Sequence, residues 1–328
     1  MNALVTGGGG FLGAAIVRRL VARGDRVRGL SRGRYAELDA LGVEQFRGDV
    51  ADAGAVDAAV VGCDVVVHVA AKAGVWGRYA DYHRANVVGT QNVLDACRKH
   101  GVRRLVYTSS PSVVFDGRDM EGVDESVPYP THYEAAYPKT KAEAERRVLA
   151  ANGPDLATVA LRPHLIWGPG DNHLVPRILE RGRAGRLRRI GRANKLVDST
   201  YIDNAADAHL LAADRLSPGS PVAGKAYFVA NGEPMPLWDL VNRILAAGGV
   251  GPVTRTVPAW LAYTAGGLLE AAYTVLRRSD EPPMTRFVVG ELTTAHWFNI
   301  TAARRDLGYE PKISIAEGLK RLAVWMSV

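Results

Sequence analysis

The sequence predicts an α/β protein: a doubly wound parallel sheet followed by a smaller, mostly helical C-terminal domain. Three observations predict it. Short apolar runs alternate with helix-length stretches through the first half, a glycine-rich turn joins the first run to the first helix, and the rhythm loosens after Gly168-Pro169-Gly170. Taken in order, residues 2–6 read as a strand and 11–23 as a helix with its apolar residues along one face. A second strand follows at 26–30, a short third at 45–47, and a fully apolar fourth at 65–69, interrupted by His68. Then come a long helix over 81–100, a strand over 104–108, a helix over 134–150 and a strand over 157–162. Beyond Gly170, short helices at 175–183, 205–215, 237–247 and 315–324 are separated by loops containing Pro and Gly. The expected division is one domain over 1–168, with 199–230 returning to it, and a second over 169–198 and 231–328.

Composition bounds the function classes. The chain has 328 residues, 47% hydrophobic and 23% charged, which is ordinary for a soluble globular protein and excludes disordered, collagen-like and coiled-coil chains. The net charge of +7 rests on eight lysines and 33 arginines. The arginines are scattered as Arg18, Arg19, Arg103, Arg104, Arg146, Arg147, Arg304 and Arg305 along ordinary elements. A nucleic-acid binder would concentrate them with aromatics on one element, so the charge points to an anionic small ligand or a membrane surface instead. Cys63 and Cys97 form no CxxC or Cys/His cluster, so no metal site or disulfide framework is expected. The first apolar run, 3–5, is too short for a signal peptide, and a cytoplasmic protein is expected. The stretch 259–276 carries a single charge, Glu270, and reads as an apolar helix beside a lipophilic pocket. A membrane-surface contact helped by Arg277 and Arg278 is the alternative, and Glu270 and two consecutive glycines weaken a spanning reading.

Thr6-Gly7-Gly8-Gly9-Gly10-Phe11-Leu12-Gly13 lies between a predicted strand and a predicted helix, the context a dinucleotide site requires. Gly7 and Gly10 allow a tight turn and close approach to a pyrophosphate at the helix N-terminus, and Gly13 allows close packing of helix on sheet. An NAD site places a carboxylate at the end of the second strand to accept the ribose 2′-hydroxyl. Here that region reads Leu30-Ser31-Arg32-Gly33-Arg34, with no carboxylate. Ser31, Arg32 and Arg34 suit a 2′-phosphate, so NADP(H) is expected, with NAD(H) the alternative. Asp49 and Val50, after the short third strand, fit an adenine-edge contact.

Tyr137 and Lys141 stand four apart in Tyr137-Pro138-Lys139-Thr140-Lys141, on one helix face. A free phenol titrates near 10, too high for a base at neutral pH. A lysine ammonium one turn away, with a bound nicotinamide, would favour the phenolate and make Tyr137 a competent acid/base toward an alcohol or carbonyl. Ser110, at the end of the strand over 104–108, could donate to the substrate oxygen as charge develops there.

Gly7–Gly13, Val69-Ala70-Ala71, Asn86-Val87-Val88-Gly89-Thr90, 108–113, the Tyr137/Lys141 pair and Arg162-Pro163 together resemble the extended short-chain dehydrogenase/reductase family over nearly the whole chain. The resemblance implies a Rossmann domain with a C-terminal substrate domain. It puts Ser110, Tyr137, Lys141 and Asn86 on the catalytic positions. Gly7, Gly10, Phe11, Leu12, Gly13, Ala70, Ala71, Lys72, Pro163 and Leu165 join Tyr137 and Lys141 around the cofactor. It also implies a homodimer through the helices carried by 81–100 and 137–151. Ser109-Ser110-Pro111-Ser112-Val113-Val114-Phe115 and Leu161-Arg162-Pro163-His164 look like the 3β-hydroxysteroid and sterol-4-carboxylate dehydrogenase branch. Ala70-Ala71-Lys72-Ala73-Gly74-Val75-Trp76-Gly77 is similar to bacterial 2-alkyl-3-oxoalkanoate reductases of olefin biosynthesis within that branch. Both imply hydride transfer at a carbon β to a carboxylate on a bulky lipophilic acid, and Lys72 or His164 is the expected partner of that carboxylate. The same motifs also serve nucleotide-sugar epimerases and dehydratases, and a redox-sensing or scaffold protein is the non-enzymatic alternative. A pathway enzyme remains a further expected partner.

Overall fold

The computed structural model describes residues 1–278 and 280–327. Seven parallel strands make the main sheet: β1 (Asn2–Thr6), β2 (Arg26–Ser31), β3 (Glu44–Arg47), β4 (Val65–His68), β5 (Arg104–Thr108), β6 (Ala157–Pro163) and β7 (Lys225–Val229). Their spatial order is β7-β6-β5-β4-β1-β2-β3, so the chain winds outward from β1 in both directions. Successive residues of β1 face opposite layers. Ala3 and Val5 pack with α1 (Phe11–Ala22), whereas Leu4 packs with α2 (Ala53–Val60) and α3 (Gly89–Lys99). Both faces are therefore covered, which is why β4 reads as an apolar run up to His68. His68, the polar interruption, is fully buried. Its Nδ1 accepts from the Thr6 hydroxyl at 2.7 Å, and its Nε2 meets Thr90 Oγ1 at 3.0 Å.

Two expectations change in detail. The long helix over 81–100 consists of a turn at Tyr79–Tyr82, a π-helical stretch over His83–Val88 and then α3. The helix over 134–150 begins only at Ala136, giving α4 (Ala136–Ala150). The strand β7 and the helix α5 (Ile202–Arg215) come from the later sequence. The β7 strand pairs with β6, and α5 packs on α1 through Arg19, which bridges Asp203 and Asp207 at 2.9 and 2.6 Å.

A smaller four-stranded sheet lies beyond the C-terminal ends of these strands. It joins Met120–Val123, from the first half of the chain, to His296–Phe298 in parallel, and His296–Phe298 to Leu196–Val197. A third core of Val113, Val114, Phe115, Phe228, Phe287 and Phe298 fills the space between. Over this lie α6 (Ala259–Val275) and α7 (Arg286–Thr293), fastened together by Glu270, which accepts from the Arg286 backbone and Nε, both at 2.7 Å. Only Ala262 and Gly266 of α6 are buried, and Trp260 and Leu268 are each 70% exposed. Among the described residues, no helix is long and apolar enough to cross a membrane.

Candidate active site

The glycine loop forms at the C-terminal end of β1. Gly7 adopts φ +71°, and a Cβ there would stand 3.0 Å from the Ala70 backbone. A Cβ on Gly13 would meet the Gly7 carbonyl at 2.1 Å, so the helix can seat this close only with glycine. Gly10 caps α1 without any side-chain hydrogen bond, leaving first-turn N–H groups for an anionic ligand. Such a cradle fits a pyrophosphate. Phe11 is half-buried and Leu12 is buried in the core, so Leu12 can serve a ligand only through its backbone.

At the ends of β2 and β3, Ser31 Oγ accepts from the Gly9 N–H at 3.2 Å. Arg34 departs from its expected role. Its guanidinium makes a two-point contact with Asp39, at 3.0 and 2.9 Å, and each group holds the other in its charged form. Arg32 is exposed, and among the described residues no carboxylate pairs with it. A second guanidinium joins it: Arg47 Nε donates to the Arg32 carbonyl at 3.3 Å. Arg47 was legible as the last residue of a predicted strand, but only the parallel β2–β3 register sets it beside Ser31. Asp49 and Val50 follow β3, with Asp49 reached by Arg84 at 3.3 Å and Val50 buried.

Thr6 Oγ1 accepts from the N–H groups of Val69 and Ala70 at 3.2 and 3.1 Å, tying the loop after β4 to β1. Asn86 holds the next step. Its Oδ1 accepts from the Lys72 N–H at 2.7 Å, and its Nδ2 donates to the Lys72 carbonyl at 3.1 Å and to Thr140 Oγ1 at 3.0 Å. Asn86 is thus a buried positioning residue that joins the Ala70-Ala71-Lys72 loop to α4, not a group facing the reacting atoms. Lys72 itself is exposed, its Nζ 5.2 Å from the Tyr82 ring centroid, and among the described residues no carboxylate pairs with it.

Ser110 ends the loop after β5 and opens a 3₁₀ turn over Pro111–Val114, with its hydroxyl 2.9 Å from Ser112 Oγ. Tyr137 stands in the first turn of α4. Burial pushes its phenol above the ordinary value, and the Ser110 hydroxyl pulls it back. The expected influence of Lys141 on Tyr137 takes a different form. Lys141 Nζ donates to the Thr108 carbonyl at 2.5 Å and lies 4.2 Å from the Tyr107 ring centroid. Burial lowers Lys141 to about 7, against the opposing pull of Glu145 one turn further along α4. Tyr137 is therefore a neutral phenol in this structure, poised as a proton donor.

Glu145 continues the Tyr137/Lys141 face at the same i, i+4 spacing, a signal available in the sequence. It is fully buried, bound to Arg162 at 2.7 and 3.1 Å, and accepts from the Tyr129 hydroxyl at 2.6 Å.

Pro163 ends β6 and His164 and Leu165 follow it; Leu165 takes φ +41°, a strained conformation for a non-glycine residue. His164 does not suit the ion pair expected of it. Its ring is buried, Nδ1 meets the Asp198 carbonyl at 2.7 Å, and burial lowers it to about 4, so it is neutral at physiological pH. Beside the site opens a cleft of about 560 Å³ lined by Val75, Trp76, Glu134, Thr274, Val275 and Phe287. Glu134 lies three residues before Tyr137, ahead of α4. The Phe287 ring packs edge-on against Phe115, 6.2 Å between centroids.

Comparison with known proteins is consistent with this geometry. Residues 4–258 match the 3-beta hydroxysteroid dehydrogenase/isomerase family. The chain is 55% identical over 324 residues to a 2-alkyl-3-oxoalkanoate reductase of Stenotrophomonas maltophilia, covering 98% of each chain. It is 52% identical over 329 residues to the enzyme of the same name from Shewanella oneidensis, covering 98% of this chain and 85% of that one. Among solved structures it is similar to the UDP-glucose 4-epimerase of Thermus thermophilus in complex with NAD, with TM-score 0.75 and 25% identity over 100% of this chain and 99% of that one.

Proposed function

The chain belongs to the 3-beta hydroxysteroid dehydrogenase/isomerase family of oxidoreductases acting on CH–OH groups, and from that premise we propose that it reduces 2-alkyl-3-oxoalkanoates with NADPH. The observation that carries the reading is the Ser110 hydroxyl acting on the Tyr137 phenol, near a cleft where Val75, Trp76, Val275 and Phe287 offer an acyl chain apolar contact alongside Glu134, Glu270 and Arg286. A bound nicotinamide supplies the hydride. The glycine loop would hold the pyrophosphate, and Arg32 and Arg47 would take the 2′-phosphate in place of the Asp39-engaged Arg34. Tyr137 donates its proton to the β-carbonyl oxygen while Ser110 steadies that oxygen. Lys141, anchored on the Thr108 carbonyl and lowered by burial to about 7, shares the helix face of the phenol and would hold the cofactor ribose. The unpaired Lys72 ammonium, fixed through its backbone by Asn86, meets the substrate carboxylate. Two copies pair through α3 and α4, and the exposed apolar face of α6 rests on a membrane surface that holds the lipid substrate.

A paired assay tests the reading: a 2-alkyl-3-oxoalkanoate with NADPH, and a 3β-hydroxysteroid with NAD and NADP. Turnover of the keto acid with NADPH and none of the steroid is the expected result; the reverse overturns it. Lys72→Ala should weaken the acid by about 10-fold or more and leave its ester unchanged, as loss of one charge-assisted contact requires. An equal loss on acid and ester refutes the carboxylate role.

A further inference from the structure

Three buried or half-buried groups that the proposed chemistry does not use converge near the end of β6. One ring nitrogen each of His164 and His296 and one carboxylate oxygen of Glu291 lie within 4.8 Å of one another. His296 Nδ1 stands 4.0 Å from Glu291 Oε2. Hydrogen bonding fixes both tautomers. His164 Nδ1 faces the Asp198 carbonyl at 2.7 Å, and a carbonyl only accepts, so the proton is on Nδ1 and Nε2 is a bare lone pair. His296 Nε2 faces Thr294 Oγ1 at 2.8 Å, and that hydroxyl donates onward to the Gly290 carbonyl at 2.8 Å. The hydroxyl must accept from Nε2–H, so Nδ1 of His296 is bare as well. Among the described residues, no donor faces the Glu291 carboxylate. Two bare imidazole nitrogens and one carboxyl group therefore face one another, walled by Phe115 at 4.9 Å from the His296 ring and Phe298 at 5.1 Å from the His164 ring.

Two imidazoles whose second nitrogens are held by a backbone carbonyl and a threonine hydroxyl, with one carboxylate, form a ligand set of the zinc type. We propose that His164, Glu291 and His296 bind a single divalent cation of the zinc class. Zn–N bonds of 2.0–2.1 Å put neighbouring ligand atoms about 3.3 Å apart in a tetrahedral site, so the present spacing has to close by up to ~1.5 Å. Hard-oxygen cations such as Mg²⁺ are disfavoured by the two nitrogens. The ion ties three distant pieces together: the end of β6, the last turns of α7, and the strand His296–Phe298 of the smaller sheet. It would act as a clasp on α7, whose first turn supplies Phe287 to the cleft.

The test uses the untagged full chain, stripped with chelator and titrated with Co²⁺ and then Zn²⁺. The expected result is a visible Co²⁺ d–d spectrum saturating at one equivalent per chain, bleached by one equivalent of Zn²⁺, with a rise in Tm on Zn²⁺ addition. Glu291→Gln keeps the side-chain shape and should fold with an unchanged metal-free melt while losing the saturable equivalent. His296→Gln should lose it too. Absence of a saturable spectrum in the wild-type chain, or the same spectrum and stoichiometry in Glu291→Gln, overturns the proposal.

Discussion

Tyr137 is held as a neutral phenol because burial disfavours its anion, and Ser110 only partly offsets that. A reductive step needs just such a donor. Tyr137→Phe should lower kcat by about 10²–10⁴-fold, the usual contribution of a positioned general acid, with NADPH affinity changed less than severalfold; stopped-flow hydride transfer and fluorescence titration measure the two. Arg32 carries the second prediction. Arg32→Ala should raise the Kd for NADPH about 10- to 100-fold and leave NADH nearly unaffected, because one charge-assisted contact to a phosphate is worth about 1.5–3 kcal/mol. Tyr137, Lys141, Ser110 and the glycines were legible because each sits in a short motif with a mechanical reason for its spacing. The diversion of Arg34 to Asp39 was not, since it depends on how the loop after β2 folds back onto the short helix that contains Asp39.

The element that organises the site is α4. Its one face carries Tyr137, Lys141 and Glu145 at successive i, i+4 positions, and the deepest of them is locked to Arg162 of β6. Replacing one partner of such a buried pair strands the other charge. Glu145→Gln should cost about 3–5 kcal/mol in chemical denaturation. It should also move Lys141 further below 7, because the Glu145 carboxylate is what supports its charge against burial. The pH dependence of hydride transfer would report that shift. The π-helical stretch His83–Val88 is the second instructive element. Periodicity marked 81–100 as one helix, yet the wider turn there sets Asn86 against both the Lys72 backbone and Thr140. Hydrophobic spacing does not distinguish a π turn inside an α-helix, and π-bulges recur at functional sites.

Across the whole molecule, the buried histidines tie stability to pH. Burial holds His68 at about 3 and His209 at about 4, well below the unfolded value near 6.5. The unfolded chain takes up these protons first, so their contribution is complete above pH 6.5 and is lost as pH falls toward 4 and then 3. Each such group contributes a slope of about 1.4 kcal/mol per pH unit between roughly pH 6 and 4.5. His209→Gln should lower the slope by about that amount in urea denaturation run at stepped pH. By itself the sequence determined the local order: the strand–glycine–helix start, the alternating first half, the Tyr137/Lys141 face and the strands feeding one sheet edge. Each of these follows from periodicity or backbone geometry within about 15 residues. Folding settled the rest. It made the expected return of 199–230 an edge strand, β7, paired 120–123 with 296–298, set Arg47 beside Arg32, buried Glu145 against Arg162, and gathered His164, Glu291 and His296. Those contacts join residues far apart in the chain, and what selects them is the burial of whole faces and the pairing of polar groups, which no local spacing encodes.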